Sequence, residues 1–115
     1  MKIYNYGKFP EGIEYTYGEI SELSSDYDLD YLKDFDEVYY WYAEAGYEGM
    51  GNLIGILNGK WYMHNMGHCS CYGPLEELDI SDKNAYDSLE ELKNSCSKGL
   101  IVEVMPLIEM ARVKG

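Results

Sequence analysis

Apolar positions cluster on either side of a turn pair most clearly across residues 52–66. Asn52 to Leu57 is followed by Asn58-Gly59, the pair best suited to the two positive φ angles of a type I′ turn, and then by Lys60 to Met66, which predicts a β-hairpin. Upstream, Val38-Tyr39-Tyr40-Trp41-Tyr42-Ala43 is dense in strand-favouring aromatics. Gly46, Gly49 and Gly51 separate it from the hairpin and read as loop; their G-x-x-G-x-G pattern stands between strands instead of opening a helix, so it carries no dinucleotide site. The three strands form an antiparallel meander. Leu32, Phe35, Tyr39 and Tyr42 also fit a helical spacing, which leaves the boundary near Asp36 open.

Residues 67–75 have no sustained period and contain two Gly and a Pro, so they form a loop. Ser81 or Asp82 then caps a helix to about Ser97, with Tyr86, Leu89, Leu92 and Cys96 as its buried stripe and Gly99 at its stop. Ile101, Val104, Met105, Ile108 and Ala111 share a helical face, and Pro106 starts a helix running to Val113, preceded by a strand or an earlier helical turn. The expected fold is α+β, a single domain over residues 1–115: a small antiparallel sheet, a meander with an Asn-Gly hairpin, packed with C-terminal helices.

Composition supports a core. Hydrophobic residues make up 46% of the 115, and 13 are Tyr, too much apolar surface for a disordered acidic tail. The net charge is −12, and it is uneven: residues 9–59 hold one basic side chain, Lys33, against 12 acidic ones, a net of −11. Residues 60–115 come to −3 and the first eight to +2. Such a chain does not assemble the positive face that nucleic acid or an anionic membrane requires, so neither is an expected partner. No apolar run reaches the roughly 18 residues of a membrane span. Met1 to Tyr17 lacks the apolar stretch of a secretory signal, so a cytoplasmic location is expected. Three cysteines, Cys69, Cys71 and Cys96, cannot all pair within one chain and read as reduced.

Three constellations could carry chemistry. His64, His68, Cys69 and Cys71 are the densest group of soft ligands, and a His with a Cys-x-Cys pair can supply two or three of the four donors zinc needs. Against that, the cysteines serve equally as small buried hydrophobes with His68 holding the loop backbone. The same residues could form a Cys–His nucleophilic pair, although no protease or transferase signature surrounds them. The run from Asp26 to Glu37 places oxygens at the first, third, fifth, ninth and twelfth positions of a calcium loop, yet Tyr31 stands where Gly must make the sharp turn. The remaining reading takes that run as a contact surface: carboxylates at intervals, interleaved with rigid Tyr rings, resemble the charge pattern of a nucleic-acid backbone and suit the basic groove of a protein that binds one.

Across about residues 38–78, the segments Tyr47-Glu48-Gly49-Met50-Gly51, Asn58-Gly59-Lys60-Trp61-Tyr62 and Gly67-His68-Cys69-Ser70-Cys71-Tyr72-Gly73-Pro74 resemble a group of small uncharacterised proteins of bacteriophages and prophage regions. The resemblance implies an origin and a role against host defence without naming a reaction. Lambda-like DNA mimics do not share this loop.

The sequence therefore predicts a non-enzymatic, acidic protein-binding module of phage or mobile-element origin. It would engage a basic surface on a host protein through Asp26, Asp28, Asp30, Asp34, Asp36 and Glu37, with Tyr27 and Tyr31 as anchors, acting as an inhibitor of a nucleic-acid-binding or defence protein. No cofactor is expected in that case. The alternatives are a zinc-stabilised domain using His64, His68, Cys69 and Cys71, and a Cys–His enzyme. Aromatic strands with an open edge also allow a homodimer.

Overall fold

The computed structural model describes residues 1–13, 18–46, 48–68 and 73–114. In chain order its elements are β1 (Lys2–Asn5), β2 (Glu19–Ile20), α1 (Asp26–Asp30), β3 (Glu37–Ala45), β4 (Glu48–Leu57), β5 (Lys60–Asn65), a 3-10 turn (Asp82–Asn84), α2 (Leu89–Ser95) and α3 (Lys98–Lys114). The α+β class holds, with strand order β1-β3-β4-β5. The meander of β3, β4 and β5 is the predicted one, and Leu57 pairs with Lys60 around Asn58 and Gly59, whose φ angles are 51° and 81°.

The sheet is mixed, however, because β1 runs parallel to the first half of β3 while β2 pairs antiparallel with its second half. Flanked on both edges and covered on both faces, β3 is the most buried element, which is why its sequence is a continuous apolar run instead of an alternation. Tyr39, Trp41 and Ala43 face α2 and α3, where they pack with Leu92, Val104, Leu107 and Ile108. Val38, Tyr40 and Tyr42 face the other way, into a layer made by Leu23, Leu32, Phe35, Met66 and Leu75. Leu32 and Phe35 thus belong to the turn after α1 and not to a helix continuing into β3, so the boundary near Asp36 is a strand start.

The glycines between the predicted strands are not loop. Only Gly46, at φ 60°, turns the chain; Gly49 and Gly51 lie within β4. Gly49, Gly51 and Gly55 pair with Glu44, Tyr42 and Val38, on one side of the strand where side chains from elsewhere (at Gly49 and Gly55) or the β3 backbone (at Gly51) take the space. A Cβ on Gly55 would lie 2.7 Å from the Phe35 ring, and one on Gly49 would lie 2.5 Å from the Tyr42 hydroxyl.

The predicted helix from Ser81 also divides. After the 3-10 turn, Tyr86 exchanges backbone hydrogen bonds with Trp61 of β5, at 2.8 and 2.9 Å, which pulls the chain out of helix. The effective cap is Ser88, whose hydroxyl accepts from the Glu91 N–H while the Glu91 carboxylate accepts from the Asp87 N–H. Gly99 does not stop this helix. Ser97 accepts from the Leu100 N–H and starts α3, so Gly99 lies in its first turn and Pro106 in its interior. Two polar bonds fix α3 on the sheet: the Trp41 indole donates to the Glu103 carbonyl at 3.0 Å, and the Asn52 amide donates to the Glu103 carboxylate at 2.9 Å. Asn52 is fully buried and, among the described residues, its Oδ1 has no partner, a cost that sits beside the bond its amide makes to Glu103 of α3.

Candidate functional site

The acidic run folds into α1 and the turns that follow it. Ser25 caps α1, accepting from the Asp28 N–H at 3.1 Å and donating to the Asp28 carboxylate at 2.9 Å. In a helix, residues four apart share a face. Asp26 and Asp30 therefore stand together, and so do Tyr27 and Tyr31, whose rings meet edge to face at 5.5 Å and whose hydroxyls are 3.1 Å apart. Tyr27 also donates to the Glu76 carboxylate at 2.6 Å, and Glu76 in turn accepts from the Gly73 N–H. That bond to Glu76 raises the Tyr27 phenol above its ordinary value, with the neighbouring Tyr31 next in effect, and it lowers the Glu76 carboxyl. Both rings stay exposed, Tyr27 at 59% and Tyr31 at 37%, so this is a fixed aromatic pair on the surface instead of part of the core.

Asp26, Asp30, Asp34 and Asp36 are exposed and Asp28 is half-buried at the cap. Charge compensation is sparse: among the described residues, the only ion pair in this run joins Lys33 to Asp30 at 3.6 Å. The other two, Lys60 with Asp87 and Arg112 with Glu90, lie in the second half of the chain. Glu37 does not join the group. It opens β3 on the side facing α2 and α3, where its carboxylate accepts from the Tyr39 hydroxyl, and burial together with Glu37 raises that phenol. Glu76, absent from the sequence reading, takes its place. Nothing local marks Glu76, because it lies 49 residues from the tyrosine it holds.

The His/Cys loop is described only at its ends; Cys69, Ser70, Cys71 and Tyr72 lie outside the described residues. His64 projects from β5 and donates from Nε2 to the Pro74 carbonyl at 2.7 Å, and since a carbonyl only accepts, the ring proton is on Nε2. Burial holds this imidazole below its ordinary value, against the opposing effect of the Pro74 carbonyl and Glu77. His68 pairs with Gly49 across the sheet, and its Nε2 lies 2.5 Å from the Tyr42 hydroxyl, which donates to Glu44 at 3.2 Å. The absence of a side chain at Gly49 makes room for this His–Tyr–Glu chain. Each histidine thus has Nε2 engaged by protein, and among the described residues no group of three or more His, Cys, Asp or Glu is arranged to hold a metal ion. Cys96, half-buried on α2's end, donates to the Leu92 carbonyl, and burial raises its thiol, the opposite of an activated nucleophile.

No helix among the described residues is long and apolar enough to cross a membrane. No protein family, curated protein or solved structure matches the chain.

Proposed function

We propose that this chain is a non-enzymatic acidic binding module whose α1 edge engages a basic surface on another protein. One observation carries the reading. Asp26, Asp30, Asp34 and Asp36 are exposed with a single lysine among them, in the same stretch of chain as a tyrosine pair hydrogen-bonded to Glu76. Carboxylates left without cations attract a cationic groove over a distance set by the Debye length, about 8 Å at physiological salt. The tyrosines add apolar area at little entropic cost, because their rotamers are already fixed. Taken with the resemblance of residues 38–78 to phage and prophage proteins, the reading extends to a host protein whose own ligand is nucleic acid, displaced by competition for the same basic groups.

The test compares the native chain with Asp30→Asn/Asp34→Asn/Asp36→Asn and with Tyr27→Ala as immobilised baits for host lysate. The native bait is expected to retain a basic protein that is released steeply between low and physiological salt. Both variants are expected to retain less of the same protein, and added duplex DNA is expected to compete. Equal retention by all three baits, or retention indifferent to salt, would overturn the proposal.

A further inference from the structure

The sheet's two edges differ. On β5, Trp61 has both of its outward backbone groups bonded to Tyr86. On the other edge, β1 is bonded to β3 through alternate residues. The Lys2 N–H donates to the Asp36 carbonyl at 3.1 Å and the Tyr6 N–H to the Tyr40 carbonyl at 2.7 Å, with Tyr4 between them in the same phase. The N–H and C=O groups of Ile3 and Asn5 therefore point away from β3. Among the described residues none of them has a hydrogen-bond partner. Lys2 and Asn5 are exposed, and Ile3 and Tyr4 half-buried, so the row is open to another strand.

Two features select a second copy of this chain as that strand. The row is self-complementary: a two-fold axis at Tyr4 sets Ile3 of one antiparallel strand opposite Asn5 of the other, and these are the residues whose groups point outward. Charge is also balanced around β1, unlike the rest of a chain that carries −12. Lys2 has Glu37 as its partner in the β3 register, Lys114 lies over the Tyr4 ring at 5.2 Å, and Lys8 lies over the Tyr6 ring at 5.3 Å. Glu11 and Glu109 line a depression together with Tyr6. Three lysines thus stand with three glutamates. The α1 edge, with one lysine among its carboxylates, would bring like charges together, whereas at β1 two acidic chains can meet without that cost.

We infer that two copies of this chain join edge to edge through antiparallel β1 strands, Ile3 of each exchanging backbone hydrogen bonds with Asn5 of the other, so that the two sheets become one. Tyr4 meets its counterpart at the axis, and Lys2 of one copy lies opposite Tyr6 of the other. The start of each strand lies beside the exposed Asp36 and its end leads to Lys8, so antiparallel pairing lays the acidic side of one copy against a lysine of the other.

The experiment is sedimentation velocity of the native chain over a concentration series, with amide hydrogen exchange read residue by residue at both ends of the series. The mass is expected to approach twice that of one chain, with a dissociation constant on the order of 100 μM, as so small an interface implies. At roughly 1 mM, exchange at the Ile3 and Asn5 amides is expected to be about fivefold slower than in the dilute chain, the factor that mass action gives for that constant. The Met63 amide, in phase with Trp61 on the β5 edge, is expected to exchange at one rate throughout. Asn5→Pro removes an outward N–H at a position where an edge strand accepts proline, and is expected to stay monomeric to roughly 1 mM with the circular dichroism of the native chain. Should that variant misfold, the exchange pattern of the native chain decides alone. A native chain that is monomeric at roughly 1 mM, leaving the edge to a foreign strand, would overturn the inference. So would a dimer in which Ile3 and Asn5 exchange as fast as in the monomer, or a folded Asn5→Pro variant that associates as the native chain does.

Discussion

At the scale of single residues, the structure assigns holding roles to side chains whose types suggested chemistry. His64 was a candidate ligand because imidazole is a common one; here its Nε2–H ties the Pro74 carbonyl to β5, and so fixes the segment that carries Glu76. The consequence is a pH dependence with a definite sign. Burial lowers the folded-state value of His64 below that of the unfolded chain, so the unfolded state binds the proton more readily. The stabilisation is complete above the unfolded value, near 6.5, and is lost as pH falls from there toward the folded value. Urea midpoints of the native chain and His64→Gln at pH 7.5 and 5.5 check this. The native chain is expected to lose stability relative to the variant at the lower pH, whatever the carboxylates contribute in common to both. The difference between the two proteins isolates the one imidazole.

At the scale of elements, legibility follows the range of the interactions that fix each piece. The Asn58-Gly59 hairpin was readable because a turn of two residues sets its own geometry. The strands β1 and β2 were not, being four and two residues long and defined only by where they meet β3. Gly49 and Gly51 read as loop for the same reason: their sequence neighbours favour a turn, while Tyr42, His68 and the β3 backbone, which arrive from elsewhere in the chain, meet them as positions within β4. The acidic face of α1 was legible in composition, but its support from Glu76 and the departure of Glu37 to the other side depend on the sheet. Tyr42, His68 and Glu44 were likewise joined only by pairing across strands. At Gly55, which the sequence already places in a strand, Gly55→Ala is expected to destabilise the fold by about 2 kcal/mol, since the new methyl meets the Phe35 ring in a packed layer. Chemical denaturation measures it, and the double variant Gly55→Ala/Phe35→Leu is expected to recover part of the loss relative to Phe35→Leu alone. An unaffected midpoint in the single variant would show that Phe35 yields without cost.

At the scale of the whole molecule, two electrostatic effects oppose one another, and magnitudes decide between them. Among the described residues three surface ion pairs favour the folded state, each contributing about 0 to 1 kcal/mol and weakening as salt is added. Against them stands a net charge of −12 gathered within principal extents of 36 × 30 × 25 Å. At 10 mM salt the Debye length is about 30 Å, so nearly every carboxylate feels every other, whereas at 150 mM it is about 8 Å and only close neighbours interact. Folding shortens those distances, so unscreened repulsion penalises the compact state more than the unfolded chain. Among the described residues the attraction rests on three pairs, while the repulsion involves many, so the net effect of salt is stabilising. Melting temperature is therefore expected to rise between 10 and 150 mM sodium chloride and then level off, as followed by calorimetry. The increment should be smaller in Asp30→Asn/Asp34→Asn/Asp36→Asn, whose lost charges come from the crowded α1 edge. A melting temperature that fell with salt would mean that the three ion pairs outweigh the repulsion, and that the acidic edge costs the fold nothing to maintain.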